Sequence, residues 1–262
     1  MSEPITYKIR ELDLEQIAPS TKDLYNKKNN GGSKIVCIGK PGSGKSTLIA
    51  SIMYAKKHIF PTALILSGTE DVNNFYKKII PSTFVYNEYN EDAIKSFIKR
   101  QKLAKEYLPN PWSLLLCDDC IENRSVLNSS LQQGLFKKGR HYACLYILSL
   151  QYCLDPPPAV RTNIDYTFIL REPMIKTRRS LWENFASIIP DFTLFCKLMD
   201  VLTDNYGALV ICNRTVSNDW HECVFYYKAD LLPKNFKFGS QDFIDFHEAR
   251  YNSEYVEKFD TL

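Results

Sequence analysis

No stretch of this sequence stays apolar long enough to span a bilayer. The opening residues, MSEPITYKIREL, lack the apolar core of a secretory leader. Both absences predict a soluble protein that works inside a cell. A marked excess of one charge is also missing, since 33 Lys and Arg against 30 Asp and Glu leave a formal charge of +3. Composition therefore does not announce a nucleic-acid binder, and any basic surface must be local. No internal repeat and no low-complexity tract is found, which excludes a solenoid or a compositionally biased arm. Eight cysteines are present, but zinc-ligand spacing is not: Cys117 and Cys120 make a single CxxC with no second pair and no histidine nearby. Cys37, Cys117, Cys144 and Cys212 lie in apolar, strand-like runs, where a free thiol acts as a small hydrophobe. Reduced core thiols are the expectation, with a metal or redox role as the alternative.

What the chain does have is 262 residues at 45% hydrophobic content, enough for one α/β domain with a sizeable core. It is organised around KIVCIGKPGSGKSTLIAS, residues Lys34 to Ser51. Ile35 to Ile38 read as a buried strand, and the residues from Thr47 to Met53 suit a helix. Between them Gly39, Lys40, Pro41, Gly42, Ser43, Gly44, Lys45 and Ser46 match the phosphate-binding P-loop pattern. Glycines let the backbone curl into a nest of N–H groups, and the helix start adds a dipole favourable to anions. Lys45 is placed to reach the β- and γ-phosphates, and the Ser46 hydroxyl to ligate Mg²⁺. Residues Gly39 to Thr47 are thus the candidate site for ATP. A glycine-rich turn without a ligand is the competing reading.

Three segments follow from composition: a lead-in at 1–33, a core at 34–232 and a tail at 233–262. The lead-in carries a short alternating strand (Ile5, Tyr7, Ile9) and ends in a flexible joint at 29–32. Within the core, 63–66 reads as a strand, 71–78 as a helix and 84–86 as a small strand. An amphipathic helix at 92–107 sets Ala93, Ile94, Phe97, Ile98 and Leu103 against Lys95, Lys99, Arg100, Lys102 and Lys105. That basic face is either simply solvated or turned towards DNA. A strand from Ser113 then delivers Asp118 and Asp119 at its carboxyl end. This is the second half of an ATPase site, with Asp118 on the metal and Asp119 as general base for the attacking water. A strand ending at an ordinary acidic turn is the alternative.

A helix is expected at 126–138 and an apolar strand at 144–150, ending in Gln151. An amide there can donate to a γ-phosphate and accept from water, or simply cap a loop. Another strand is expected at 166–170. Arg140 and Arg161 lie outside the apolar core, each suited to an arginine finger or to a structural ion pair. Helices at 176–187 and 191–202 follow, the first opening with Lys176, Arg178 and Arg179 as possible phosphate contacts. Strands at 208–212 and 223–227 form a hairpin. The tail suggests a helix over 242–259 that packs on its own core or on a partner.

Taken together, the P-loop, Asp118-Asp119, Gly139-Arg140-His141, Gln151 and Arg161-Thr162-Asn163 resemble a known set. They are similar to those of the genome-packaging ATPases of nucleocytoplasmic large DNA viruses, in the FtsK–HerA branch of additional-strand P-loop ATPases. The resemblance covers roughly residues 34–232. It implies a RecA-like α/β fold, with a mostly parallel sheet flanked by helices and extended by the C-terminal hairpin. It also implies a homo-oligomeric ring, pentamer or hexamer, that hydrolyses ATP with Mg²⁺ and drives double-stranded DNA into a capsid. Partners would then be DNA phosphates and capsid or portal-vertex proteins, with no membrane, in the host cytoplasm or virion. Lys45, Ser46, Asp118, Asp119 and Gln151 fall on the family's functional positions, although many FtsK relatives carry Glu where Asp119 stands. A small-molecule P-loop kinase and a nucleotide-binding assembly factor without turnover are the rival functions.

Overall fold

The computed structural model describes residues 8–24, 31–121, 123–151, 156–233, 235–252 and 254. Among them are nine strands: β1 Arg10–Glu11, β2 Lys34–Ile38, β3 Thr62–Ser67, β4 Val85–Tyr86, β5 Ser113–Asp118, β6 Cys144–Leu150, β7 Tyr166–Ile169, β8 Gly207–Cys212 and β9 Val224–Lys228. They join in one sheet in the order β1-β9-β8-β7-β2-β6-β5-β3-β4. The β7–β8 and β8–β9 pairings are antiparallel and the rest parallel, so β8 alone runs against the others.

Strands β2, β5, β6, β7 and β8 are buried along their whole length, as strands covered on both faces must be. Alternate residues of β2 feed different layers because strand side chains have a period of two. Ile35 and Cys37 pack with Leu48 and Ile52 of the helix Lys45–Lys56. Val36 and Ile38 join a second core with Phe97, Leu135, Leu181 and Phe195, drawn from four other helices. Those helices are Glu91–Tyr107, Ser130–Lys138, Ile175–Phe185 and Phe192–Leu202. The architecture is the three-layer α/β arrangement expected.

Local differences have physical causes. The strand expected around Ile5 and Tyr7 lies outside the described residues; the strand found is Arg10–Glu11, parallel to β9. Beyond it Leu12 and Ile17 pack in the same core as β2, as do Phe238 and Phe243 of the tail. The single helix expected over 71–78 stops at Asn73, because Asn74 turns left-handed at φ 48°. A tight turn Tyr76–Lys78 follows. Residues 126–138 form two pieces, Arg124–Leu127 and Ser130–Lys138, the second capped by the Ser129 side chain accepting from the Gln132 N–H. On the basic helix Leu103 is 52% exposed while Gln101 is fully buried. The Gln101 amide donates to the carbonyls of Pro111, Tyr142 and Ala143, so polar satisfaction and not hydrophobicity fixes that position. The tail helix spans Gln241–Glu248, shorter than the aromatic stripe suggests; residues 253 and 255–262 lie outside the described set.

Candidate nucleotide site

Strand β2 lies between β7 and β6 near the middle of the sheet, and the chain leaves it at Ile38 into the glycine loop. The Gly39 N–H donates to the Leu150 carbonyl at 3.1 Å, tying the loop to the end of β6. A Cβ on Gly39 would sit 2.6 Å from Ser43 Oγ and 2.9 Å from Leu170 Cβ, so only glycine fits. Gly44 is left-handed at φ 95° and opens the helix Lys45–Lys56. The first N–H groups of a helix have no intrahelical partner, so this loop presents them as an anion cradle. Pro41, Gly42 and Thr47 are exposed on its rim. Lys40 reaches aside to the buried carboxylate of Glu172 at 2.9 Å.

Lys45 is 5% exposed, and its ammonium donates to the Gly39 carbonyl at 2.6 Å. The same ammonium lies 3.2 Å from Asp119 Oδ2. Ser46 Oγ donates to Asp118 Oδ2 at 3.4 Å, so the two halves of the site meet directly. Register explains the meeting: β6 bridges β2 and β5, with Ser149 opposite both Cys37 and Asp118. Asp118 Oδ2 also accepts the Tyr76 hydroxyl at 2.7 Å. Burial, the largest influence, raises the Asp118 carboxyl above its ordinary value, and burial with Asp118 beside it drives the Tyr76 phenol well up. Burial raises the Cys37 thiol, which keeps it a neutral hydrophobe. Asp119 is left-handed at φ 49° and is steadied by Ser149, whose carbonyl accepts the Asp119 N–H and whose hydroxyl donates to Oδ1. Gln151 follows the last residue of β6, half-buried, beside the point where Gly39 is tied.

Whether these residues suit a magnesium nucleotide can be judged from their unsatisfied atoms. Asp118 Oδ1 and Ser43 Oγ are buried without a hydrogen-bond partner among the described residues. A buried acceptor on the carboxylate that already touches Ser46 is what a hydrated Mg²⁺ requires. No cluster of three His, Cys, Asp or Glu ligands occurs among the described residues. A phosphate-bound Mg²⁺ needs none, because waters and phosphates supply most of its shell. The residues fit.

No family model matches the chain. It is 49% identical over 242 residues to the uncharacterized protein 088R of Invertebrate iridescent virus 3, covering 91% of this chain and 92% of that one. It is 34% identical over 257 residues to the uncharacterized protein 015R of Frog virus 3, covering 97% and 79%. Among solved structures, the genome packaging NTPase B204 of Sulfolobus turreted icosahedral virus 2 with ATPγS superposes at a TM-score of 0.55 and 17% identity, over 76% of this chain and 98% of that one. The pCW3 conjugation coupling protein TcpA with ATPγS gives 0.57 at 12% identity, over 83% and 65%. The chain belongs to a family of large-DNA-virus proteins with the packaging-ATPase fold.

In this family member the two candidate arginines lie away from the chain's own P-loop. Arg140 holds Asp165 at 2.7 Å, and Asp165 also holds the Lys34 ammonium at 3.0 Å and accepts the Lys34 N–H. Lys34 opens β2, five residues before Gly39 and thus about 16 Å from it along the strand. Burial lowers the Lys34 pKa, and Asp165 counters it. Arg161 donates to Asn184 from a turn that leads into the amino end of β7. Both thus lie towards the amino ends of β6 and β7, away from the end of β2 that carries the glycine loop. Arg178, expected among surface phosphate contacts, is instead turned inward and bonded to the Glu172 carbonyl and Asp200. On the basic helix Lys95 is paired with Glu91 and Asp92, and Lys105 donates to the His141 carbonyl.

Sequence reasoning missed Tyr76 and its support Glu70. The buried Glu70 carboxylate accepts the N–H groups of Tyr76 and Lys77 and so holds the turn that aims the phenol at Asp118. Tyr76 thus leaves Asp118 Oδ1 as the carboxylate oxygen without a hydrogen-bond partner among the described residues. Tyr76→Phe is expected to preserve the fold and metal-free nucleotide binding. It should raise the Mg²⁺ concentration for half-maximal tightening of ATP binding by about 10- to 100-fold, the usual effect of losing an outer-shell partner. Magnesium titration with a fluorescent ATP analogue measures this; an unshifted midpoint would make Tyr76 merely a core residue.

Proposed function

We propose that this protein is an ATP-hydrolysing motor that moves double-stranded DNA into a viral capsid. The observation that carries the reading is the junction of Lys45 and Ser46 with Asp118 and Asp119, the residue types that a nucleotide-hydrolysing site calls for. Support comes from the fold shared with a protein described as a genome packaging NTPase and solved with ATPγS. Relatives from large DNA viruses add to it.

The loop N–H groups bind the β- and γ-phosphates, and Lys45 exchanges Asp119 for phosphate oxygen. Mg²⁺, when bound through Ser46 and Asp118, supplies charge compensation at those oxygens. Asp119, released from Lys45, accepts a proton from the attacking water as its oxygen bonds to the γ-phosphorus and the bond to the β-phosphate oxygen breaks. Gln151 orients that water, and Arg140 or Arg161 of an adjacent copy meets the developing charge. Copies join head to tail as a ring of five or six that grips DNA phosphates without reading sequence, at the capsid or portal vertex in the host cytoplasm.

The test is the ATPase rate of the full chain against added double-stranded DNA, with oligomeric mass measured alongside. We expect DNA to raise the rate, the gain to fall steeply between low and moderate salt as phosphate contacts are lost, and nucleotide to favour the ring. ATP bound without turnover, even with DNA and full oligomerisation, would make the chain a nucleotide-binding assembly factor. Phosphoryl transfer to a small molecule would make it a kinase.

A further inference from the structure

The reversed strand β8 has a consequence at the P-loop. Because β8 alone runs backwards, the residues that precede it stand at the same end of the sheet as the glycine loop. These residues are Asp204, Asn205 and Tyr206. Asn205 (φ 48°) and Tyr206 (φ 62°) are consecutive left-handed residues. Asn tolerates that conformation, but a bulky aromatic residue adopts it rarely. Strain of this kind persists where the neighbourhood enforces it, and such places gather at ligand clamps.

The enforcement is visible on both sides. Before the pair, Thr203 is buried, and its hydroxyl and N–H both donate to the Met199 carbonyl. After it, the Gly207 N–H donates to Asp204, and a Cβ on Gly207 would lie 2.3 Å from the Leu202 carbonyl oxygen. The product is a tyrosine that is 69% exposed yet has Cδ1 only 3.1 Å from where a Cβ of Gly44 would stand. Gly44 therefore serves two needs, a left-handed turn and room for this ring.

An aromatic ring with one edge on the P-loop and most of its surface open offers a stacking surface next to the phosphate cradle. Base–aromatic stacking is strong, and it tolerates any base because each has a π-face. We propose that Tyr206 is the platform on which the base of a P-loop-bound nucleoside triphosphate stacks, favouring purines by ring area. This rests on the P-loop reading above and adds the part of the ligand that reading leaves unplaced.

The experiment compares full-length wild type with Tyr206→Ala, Tyr206→Asn and Tyr206→Trp by calorimetric titration. The ligands are ATPγS, a non-hydrolysable CTP analogue and inorganic tripolyphosphate. Asn is included because it accepts the left-handed backbone while removing the ring. Both ring-less variants should weaken ATPγS by about 5- to 150-fold, lose the purine preference and bind tripolyphosphate as wild type does. Tyr206→Trp should retain ATPγS affinity. Unchanged ATPγS affinity in the ring-less variants, or equal weakening of ATPγS and tripolyphosphate, would overturn the assignment and leave the P-loop reading standing. Wild type that binds none of the three ligands would overturn both.

Discussion

Lys45→Ala should abolish nucleotide binding at any practical concentration, with ATPγS affinity falling by at least about 100-fold. A charge-assisted hydrogen bond is worth roughly 1.5–3 kcal/mol, and the buried Lys45 is placed to make more than one. DNA-stimulated turnover should vanish with it. The substitution also strips Asp119 of its 3.2 Å cation, so the carboxylate is left with Ser149. A melting curve must therefore accompany the titration. Lys45→Met, which keeps the aliphatic stem, separates loss of charge from loss of packing. Tight binding by a folded Lys45→Met variant would remove the P-loop from nucleotide recognition.

The second large effect is expected from Asp119→Asn, which should hold ATP and fail to hydrolyse it. Loss of a general base costs about 10²- to 10⁴-fold in rate. Asn is among the non-glycine residues that best tolerate the left-handed backbone at this position. It also frees Lys45 from an ion pair that competes with phosphate, so affinity should be kept or improved. Single-turnover hydrolysis read beside equilibrium binding decides the matter: near-normal turnover would assign the proton to another group. The same Asp119→Asn protein should still form the nucleotide-dependent oligomer, because its defect lies in chemistry and not in binding.

How much of this could be read from the chain depends on how local the chemistry is. The strand, glycine loop and helix from Lys34 to Ser51 are contiguous, so residue spacing carries their geometry outright. Asp118 was legible because an apolar run that stops at a carboxylate marks a strand end, and the two apolar runs at 208–212 and 223–227, separated by a polar stretch, gave the hairpin. Tyr76 carries no such mark. It reaches Asp118 from 42 residues upstream, through a turn created by a left-handed Asn74 that no hydrophobic pattern encodes. Leu103, expected on the apolar face, is exposed while Gln101 is buried because three backbone carbonyls need a donor, and periodicity is blind to that need. Arg178 reads as one more surface cation until the fold sets Asp200 and the Glu172 carbonyl beside it. Tyr206 belongs to no motif and becomes visible only where β8 reverses.

Among the described residues the sheet ends at each rim in a strand of two residues, β1 on one side and β4 on the other. The outermost strand at either rim offers only two residues of backbone, a short template for pairing with a second chain. Short edge strands are one device by which sheets avoid pairing edge to edge. In the proposed ring, contacts between copies would then be carried by side chains, which nucleotide can tighten or loosen.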